Sequence, residues 1–377
     1  SNRMKKVLHI ISGLGTGGAE MMLYKLLATK NSSSSAVLSL GCKKNTMIEQ
    51  KLQQLGVDVF YLDIKNKGFV FSCFPRLRKI IGEYKPTVIQ GWMYHGNLVT
   101  LFIKYFFVKV PVVWNVRHSL HDLKSDKPLT RFVIKLNALL SRLPDFIVYN
   151  SKTSAVQHEN YGFSKIKTLI IPNGFDMRKF VPDNAIKQQV RSELNVREGV
   201  AVIGCVARVH PTKGHAVLLK AASIFVKEYN DVVFVLVGQG ADSENELISD
   251  LVSTGGLSEK VILLGERSDV IRLTTAFDIA TSASLSEAFS NTIGEAMACG
   301  VPCVVTDVGD SAWIVGGSGE VVPAEDPEAM SRAWLKILKM QVPERMELSK
   351  KARKRVEENF GIEQISKRYD DLYQSIG

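Results

Sequence analysis

Glu287 and Glu295 stand eight positions apart in the string Ser286-Glu287-Ala288-Phe289-Ser290-Asn291-Thr292-Ile293-Gly294-Glu295-Ala296-Met297-Ala298-Cys299-Gly300-Val301-Pro302. From Ile293 the stretch to Ala298 reads as helix, with Gly300 as its stop and Pro302 just beyond. One carboxylate then precedes a helix and the other falls in its first turn. A loop ending at a helix start presents free backbone N–H groups and a partial positive charge, which suits a phosphate. A diphosphate held there would have an acid on either side to accept hydroxyl groups. Taken alone, two acids near a helix start also fit capping and dipole complementarity.

A second string adds the cations such chemistry needs. Val206-Ala207-Arg208-Val209-His210-Pro211-Thr212-Lys213-Gly214-His215 follows an apolar run that reads as a strand. From a strand end and the loop after it, Arg208 and Lys213 could reach one diphosphate and offset the charge that builds on it as a leaving group. The competing reading is two solvated surface cations. Two further turns, Leu236-Val237-Gly238-Gln239-Gly240 and Gly265-Glu266-Arg267-Ser268-Asp269-Val270, also follow strands.

Near the start, Gly13-Leu14-Gly15-Thr16-Gly17-Gly18 lies between a strand and a helix and matches G-x-G-x-x-G, so a dinucleotide site must be weighed. Such a site also asks for an acid at the end of the second strand. Here that strand ends Ser39-Leu40-Gly41-Cys42-Lys43-Lys44, with no acid before Glu49, which argues against an oxidoreductase. Two other strand ends concentrate groups suited to a sugar: Trp92, Tyr94 and His95 in one, Arg117 and His118 in the next. Strand C-termini line the crevice of an open α/β sheet. A histidine in such a place is as readily a structural residue.

The elements that must position these residues alternate regularly. Apolar runs at 6–12, 35–40, 57–62, 88–90, 112–116, 146–149 and 168–171 read as strands, with helical stretches such as 19–29, 46–55 and 74–83 between them. A second series begins at 201–206 and continues at 232–237, 261–264, 279–282 and 302–306, with helices at 216–229 and 327–338. Strands so spaced imply βαβ units on parallel sheets. The turn Ile171-Pro172-Asn173-Gly174-Phe175-Asp176 falls at the expected seam, near 172–182, and 362–375 reads as a last helix.

The strings around Glu287 and Glu295, Arg208 and Lys213, and the glycine turn closely resemble the retaining nucleotide-sugar glycosyltransferases of family four, of the bacterial polysaccharide and O-antigen kind. That resemblance implies the GT-B fold: α/β, two Rossmann-like doubly wound domains facing across a cleft. It implies an acceptor-binding domain at 4–172, closed by a helix at 362–377, and a donor-binding domain at 173–361. By the same resemblance Glu287 lies by the donor sugar, Glu295 holds ribose hydroxyls, and Phe289, Ser290, Asn291 and Thr292 present amides to the diphosphate beside Arg208 and Lys213. Gly17 and Gly18 close over the phosphate, Gly238 and Arg267 frame the nucleotide, and His118 contacts the sugar. Trp92, Tyr94, His95 and Arg117 are the expected acceptor residues. The expected reaction is metal-independent hexosyl transfer from a UDP-sugar, such as UDP-glucose, UDP-galactose or UDP-GlcNAc, to a saccharide or lipid-linked saccharide, with no cofactor.

Composition narrows the alternatives. At 377 residues two domains are the natural expectation, and 45% hydrophobic residues suit a folded globular protein. No run of about 18 apolar residues occurs, so no spanning helix is expected. Ser1-Asn2-Arg3 ahead of Met4 reads as a cloning remnant, not a secretory signal, and five scattered cysteines suit reduced thiols in a cytoplasm. The net charge of +10 divides into +17 for residues 1–180 (27 basic, 10 acidic) and −7 for the rest (21 basic, 28 acidic). A basic half suggests an anionic acceptor or the inner face of an anionic membrane; no nucleic-acid module is visible. No D-x-D triplet occurs, so no bridging metal is implied. Two rivals remain: a GT-B UDP-GlcNAc 2-epimerase, which needs no acceptor, and a non-catalytic basic protein that binds membrane or nucleic acid.

Overall fold

A computed structural model describes residues 4–15, 17–29, 34–42, 44–64, 73–120 and 123–377; Thr16 of the glycine turn lies outside them. The chain divides into two compact units, Ser1–Gly174 with Ile362–Gly377, and Phe175–Gly361. In the first unit seven strands alternate with helices: β1 (Lys6–Ile11), α1 (Gly18–Leu27), β2 (Ser34–Ser39), α2 (Met47–Gln54), β3 (Asp58–Tyr61), α3 (Phe74–Tyr84), β4 (Val88–Trp92), α4 (Met93–Phe106), β5 (Val112–Val116), α5 (Pro128–Leu140), β6 (Phe146–Tyr149), α6 (Lys152–Tyr161) and β7 (Thr168–Ile170). The second unit opens with α7 (Asn184–Glu193). It continues β8 (Ala201–Val206), α8 (His215–Glu228), β9 (Val232–Val237), α9 (Glu246–Thr254), β10 (Val261–Gly265), α10 (Val270–Thr275), β11 (Ile279–Ser282) and α11 (Asn291–Ala298). Then come β12 (Cys303–Thr306), α12 (Ser311–Val315), β13 (Glu320–Val322), α13 (Pro327–Leu338) and α14 (Val342–Phe360). The last helix, α15 (Ile362–Ser375), belongs to the first unit.

Both sheets are parallel. The first runs β3-β2-β1-β4-β5-β6-β7 and the second β10-β9-β8-β11-β12-β13. Central strands such as KVLHII and VVFVLV are almost continuously apolar because helices cover both of their faces. In each sheet the strand order reverses once, between β1 and β4 and between β8 and β11. At such a reversal adjacent crossovers leave on opposite faces and open a crevice at the strand C-termini. Each unit is thus Rossmann-like and carries one crevice.

Trp92, Trp114, Tyr149 and Tyr369 are fully buried in the first unit, and Phe175, Phe225, Phe234, Trp334 and Phe360 in the second. Helix α15 is tied to the first sheet by polar contacts as well as apolar ones. Asn115 Nδ2 donates to the Tyr369 hydroxyl at 3.0 Å, and the Tyr373 hydroxyl donates to Gln90 Oε1. In the second unit the Arg353 guanidinium donates to three carbonyls, Ala298 (2.6 Å), Phe180 (2.7 Å) and Met177 (3.1 Å). It thereby satisfies a carbonyl at the end of α11 and fixes that helix to the segment after Phe175.

Two local expectations change. The strand expected at 88–90 continues to Trp92 and α4 starts at once, with Met93 at φ 67° supplying the reversal. A Cβ on Gly96 would lie 2.4 Å from the Ile10 carbonyl oxygen, so that glycine lets α4 rest directly on β1. Helix α11 begins at Asn291 rather than Ile293, which moves Glu295 into its second turn.

His9 and His158 are completely buried, and burial lowers their pKa values to about 3 and about 4. His9 Nδ1 accepts the Trp92 indole N–H at 3.0 Å, and the His158 ring meets the Tyr94 hydroxyl at 2.6 Å. Both stay neutral in the native protein, whereas in the unfolded chain they protonate near pH 6.5. The unfolded state therefore binds more protons below pH 6.5, and stability present above that pH is lost as it falls towards 4. From pH 7.5 to 5 the expected loss is about 2 kcal/mol per histidine. Urea midpoints at the two pH values check this, and His158→Gln should show the smaller drop.

Candidate active site

The crevice of the second sheet holds a cavity of about 420 Å³. Its floor is Cys205 and Val206 at the end of β8 and Thr281 and Ser282 at the end of β11, the two strands flanking the order reversal. Eight of the residues singled out in the sequence line it: Arg208, Lys213, Gly238, Glu287, Phe289, Ser290, Asn291 and Thr292.

Local backbone chemistry builds this convergence. After β8 the chain makes a short 3-10 turn, Pro211–Lys213, ended by Gly214 at φ 69°. The Leu285 N–H donates to the Thr212 carbonyl at 2.7 Å, and the Asp310 N–H donates to the Ala288 carbonyl at 2.9 Å. These bonds clamp the loop carrying Glu287 between the Lys213 turn and the chain after β12. Glycine is required where the backbones meet. A Cβ on Gly309 (φ 54°) would stand 2.1 Å from the Glu287 carbonyl oxygen, and one on Gly238 (φ 140°) would stand 2.2 Å from that of Ala207.

The Lys213 ammonium lies 2.6 Å from Glu287 Oε1, with the two side chains 24% and 12% exposed. The same oxygen accepts the Ser284 hydroxyl at 2.8 Å, and Ser282 donates to Ser284 at 3.2 Å. The Glu287 carboxylate is thus fixed through one oxygen, and Lys213 keeps two of its three N–H donors for another partner. Arg208 is exposed at the cavity wall. Ser290 is the N-cap of α11, and its side chain makes no capping hydrogen bond. The Phe289 ring turns inward, stacked on Phe175 with centroids 6.2 Å apart, so this residue can offer the cavity its backbone rather than its ring. Burial pushes the Cys205 thiol up to about 12, which makes it a neutral part of the floor.

Glu295 follows Asn291 by one helical turn and shares its face of α11, beyond the cavity lining. Arg267 also lies outside that lining. Its guanidinium grips Asp269 through two bonds of 2.9 Å, and Asp269 in turn faces Arg272 at 3.6 Å. Ser284 escaped the sequence reading, although its place three residues before Glu287 at a strand end was a usable signal. Among the described residues no group of three or more His, Cys, Asp or Glu could hold a metal ion.

In the first unit, Gly17 is the N-cap of α1 and Gly18 its first residue, and nothing lies within 4 Å of a Cβ placed on Gly18. His118 is exposed just past β5, and its carbonyl accepts the Ser154 hydroxyl. His95 is exposed in the first turn of α4. Arg117 is partly buried, donates to Asn115 at 3.3 Å and to Asn173, and lies over the Trp92 ring. Trp92 and Tyr94 correct the expectation for acceptor residues: Trp92 has no exposed surface and Tyr94 only 6%. Their polar atoms are spent on His9 and His158, because the strand runs on to Trp92 and turns the next residues onto the sheet.

Two Rossmann-like units, the second with an acid, two cations and a helix start around its crevice, define a GT-B glycosyltransferase. Comparison with known proteins agrees. Residues 16–179 match the family model "Glycosyltransferase Family 4" and residues 200–340 match "Glycosyl transferases group 1". The putative glycosyltransferase EpsF of Bacillus subtilis is 26% identical over 316 residues, covering 81% of this chain and 80% of that protein. An Escherichia coli UDP-Gal:alpha-D-GlcNAc-diphosphoundecaprenol alpha-1,3-galactosyltransferase is 27% identical over 215 residues, covering 55% of this chain and 54% of that one. The crystal structure of Anabaena HepE in complex with UDP superposes with a TM-score of 0.83 at 20% identity, over 98% of this chain and 100% of that one. The chain belongs to the group 1 glycosyltransferases of family four.

Replacing Ser284 by Ala removes one of the two bonds that orient Glu287. Transferase turnover is expected to fall about tenfold, the worth of one charge-assisted hydrogen bond, while the thermal midpoint moves little. Steady-state kinetics and a melting curve on the same preparation check this.

Proposed function

We propose that this protein is a retaining, metal-independent hexosyltransferase that uses a UDP-sugar and extends a saccharide or lipid-linked saccharide in polysaccharide or glycolipid biosynthesis, at an anionic membrane surface. The observation that carries the reading is the single cavity where Arg208, Lys213, Glu287 and the start of α11 converge at the order reversal of the second sheet. The UDP bound to HepE and the UDP-Gal named for the E. coli relative support the choice of nucleotide, and the GlcNAc-diphosphoundecaprenol in that relative's name supports the acceptor class.

In this reading the diphosphate lies at the start of α11, against the free donors of Lys213 and beside Arg208. Negative charge grows on it as the bond from the sugar C1 to the β-phosphate oxygen breaks, and a helix start with two cations stabilises that charge without a metal ion. The acceptor hydroxyl bonds to C1 on the same face and passes its proton to an oxygen of the departing phosphate. The products are a glycoside of unchanged configuration and the nucleoside diphosphate. The second oxygen of Glu287 accepts sugar hydroxyls and Glu295 the ribose hydroxyls. To the first unit the resemblance assigns His118 for the sugar and Gly17 and Gly18 for the phosphate.

Thermal-shift measurements with UDP, GDP, ADP and their sugar conjugates in excess EDTA test this. The UDP series alone should stabilise the protein, by about 3 kcal/mol at a hundredfold excess over Kd, and Glu287→Gln should bind UDP normally yet barely turn over. Stabilisation that requires a divalent ion, or that follows another base, would contradict it.

A further inference from the structure

The basic charge of the first unit has a local focus on α5 (Pro128–Leu140). One face of this helix is core: Val133, Ile134 and Asn137 are buried, and the Asn137 amide donates to the Tyr94 carbonyl at 3.0 Å. The opposite face carries large apolar side chains into solvent, with Phe132 61% exposed, Leu139 71%, Leu129 45% and, just past the helix, Leu143 39%. At 100° per residue Phe132 and Leu139 form a crest. Leu129 and Leu136 fall on one flank of it and Arg131 and Lys135 on the other, and the exposed Arg142 and Leu143 follow the helix end. From Lys127 to Leu143 there are four cations and no acid.

The loop after α6 (Lys152–Tyr161) meets the end of α5, where the Ser164 N–H donates to Ser141 Oγ at 2.9 Å. It adds Ile166, 92% exposed, between Lys165 and Lys167. A helix on a water-facing surface ordinarily turns its charges outward and hides its phenylalanine and leucines. Large apolar side chains exposed together on one helix face mark an interaction surface.

We propose that this face of α5, with Ile166, docks on an anionic lipid bilayer. The crest and its leucine flank would enter the boundary between headgroups and acyl chains, while Arg131, Lys135, Arg142, Lys165 and Lys167 meet lipid phosphates. Lateral division of an exposed helix face into an apolar flank and a cationic flank is the pattern of helices that lie in a membrane plane. Between Lys127 and Leu143 all the charge is of one sign, which favours an anionic lamella over a protein partner of mixed charge. No helix among the described residues is long and apolar enough to cross a membrane. The inference deepens the lipid-linked acceptor reading and rests on it for its purpose.

Co-sedimentation of the full chain with vesicles, without donor or acceptor, tests it. The protein should bind vesicles containing roughly one-third phosphatidylglycerol and leave pure phosphatidylcholine alone. Phe132→Ser with Leu139→Ser, and separately Arg131→Glu with Lys135→Glu, should each weaken binding about tenfold or more, with an unaltered UDP-induced thermal shift certifying the fold. Wild-type binding by either pair overturns the proposal, as does equal binding to phosphatidylcholine. So does a wild-type dimer that the serine pair splits without changing vesicle binding, since the face would then join two copies of this chain. All three outcomes leave the transferase reading standing.

Discussion

A lysine ammonium 2.6 Å from a glutamate carboxylate, both largely removed from solvent, is the interaction on which the second unit's site depends. Lys213 comes from the turn after β8 and Glu287 from the loop after β11. They meet because these strands are neighbours across the one place where the strand order reverses. Such a pair is a poor source of stability, since desolvating two charges offsets much of their attraction. What it fixes is geometry. One oxygen of Glu287 is committed to Lys213 and Ser284, which leaves the other oxygen of the carboxylate, and two lysine donors, in defined positions.

Much of the fold was legible in the residues. Buried parallel strands are nearly uninterrupted apolar runs, so Val112–Val116, Phe146–Tyr149, Ala201–Val206, Val232–Val237 and Ile279–Ser282 could be placed to the residue. The ends of elements were less legible, because tertiary contacts decide them. Asn291 and Thr292 are weak helix formers, yet α11 begins there because the Glu287 loop is clamped from both sides. The segment from Trp92 to Asn97 suggested an open strand end rich in polar and aromatic groups. Gly91 and Gly96 were the missed signal: a Cβ on either would strike Asn97 or the Ile10 carbonyl, so α4 lies hard against the sheet and Trp92 and Tyr94 are walled in.

The cavity of the second unit was more legible than the candidate residues of the first because its lining is local to strand ends in one sheet, where sequence order and spatial order agree. Ser284 was harder to see, since its importance lies in one oxygen of a neighbour rather than in a charge of its own. The first unit shows the same contrast. Its excess of lysine and arginine was obvious from composition, but only the structure separates the cations that flank exposed Phe132 and Leu139 from those scattered elsewhere.

In the proposed reading, Lys213 and its carboxylate partner frame a diphosphate site. Isothermal titration of Lys213→Met and wild-type protein with UDP and with uridine measures this most directly. Loss of the lysine should weaken UDP at least about tenfold, because a charge-assisted contact is removed and the Glu287 carboxylate is left to repel the phosphates. Uridine affinity should be unchanged. Equal UDP affinity in the two proteins would place the diphosphate elsewhere and contradict the account.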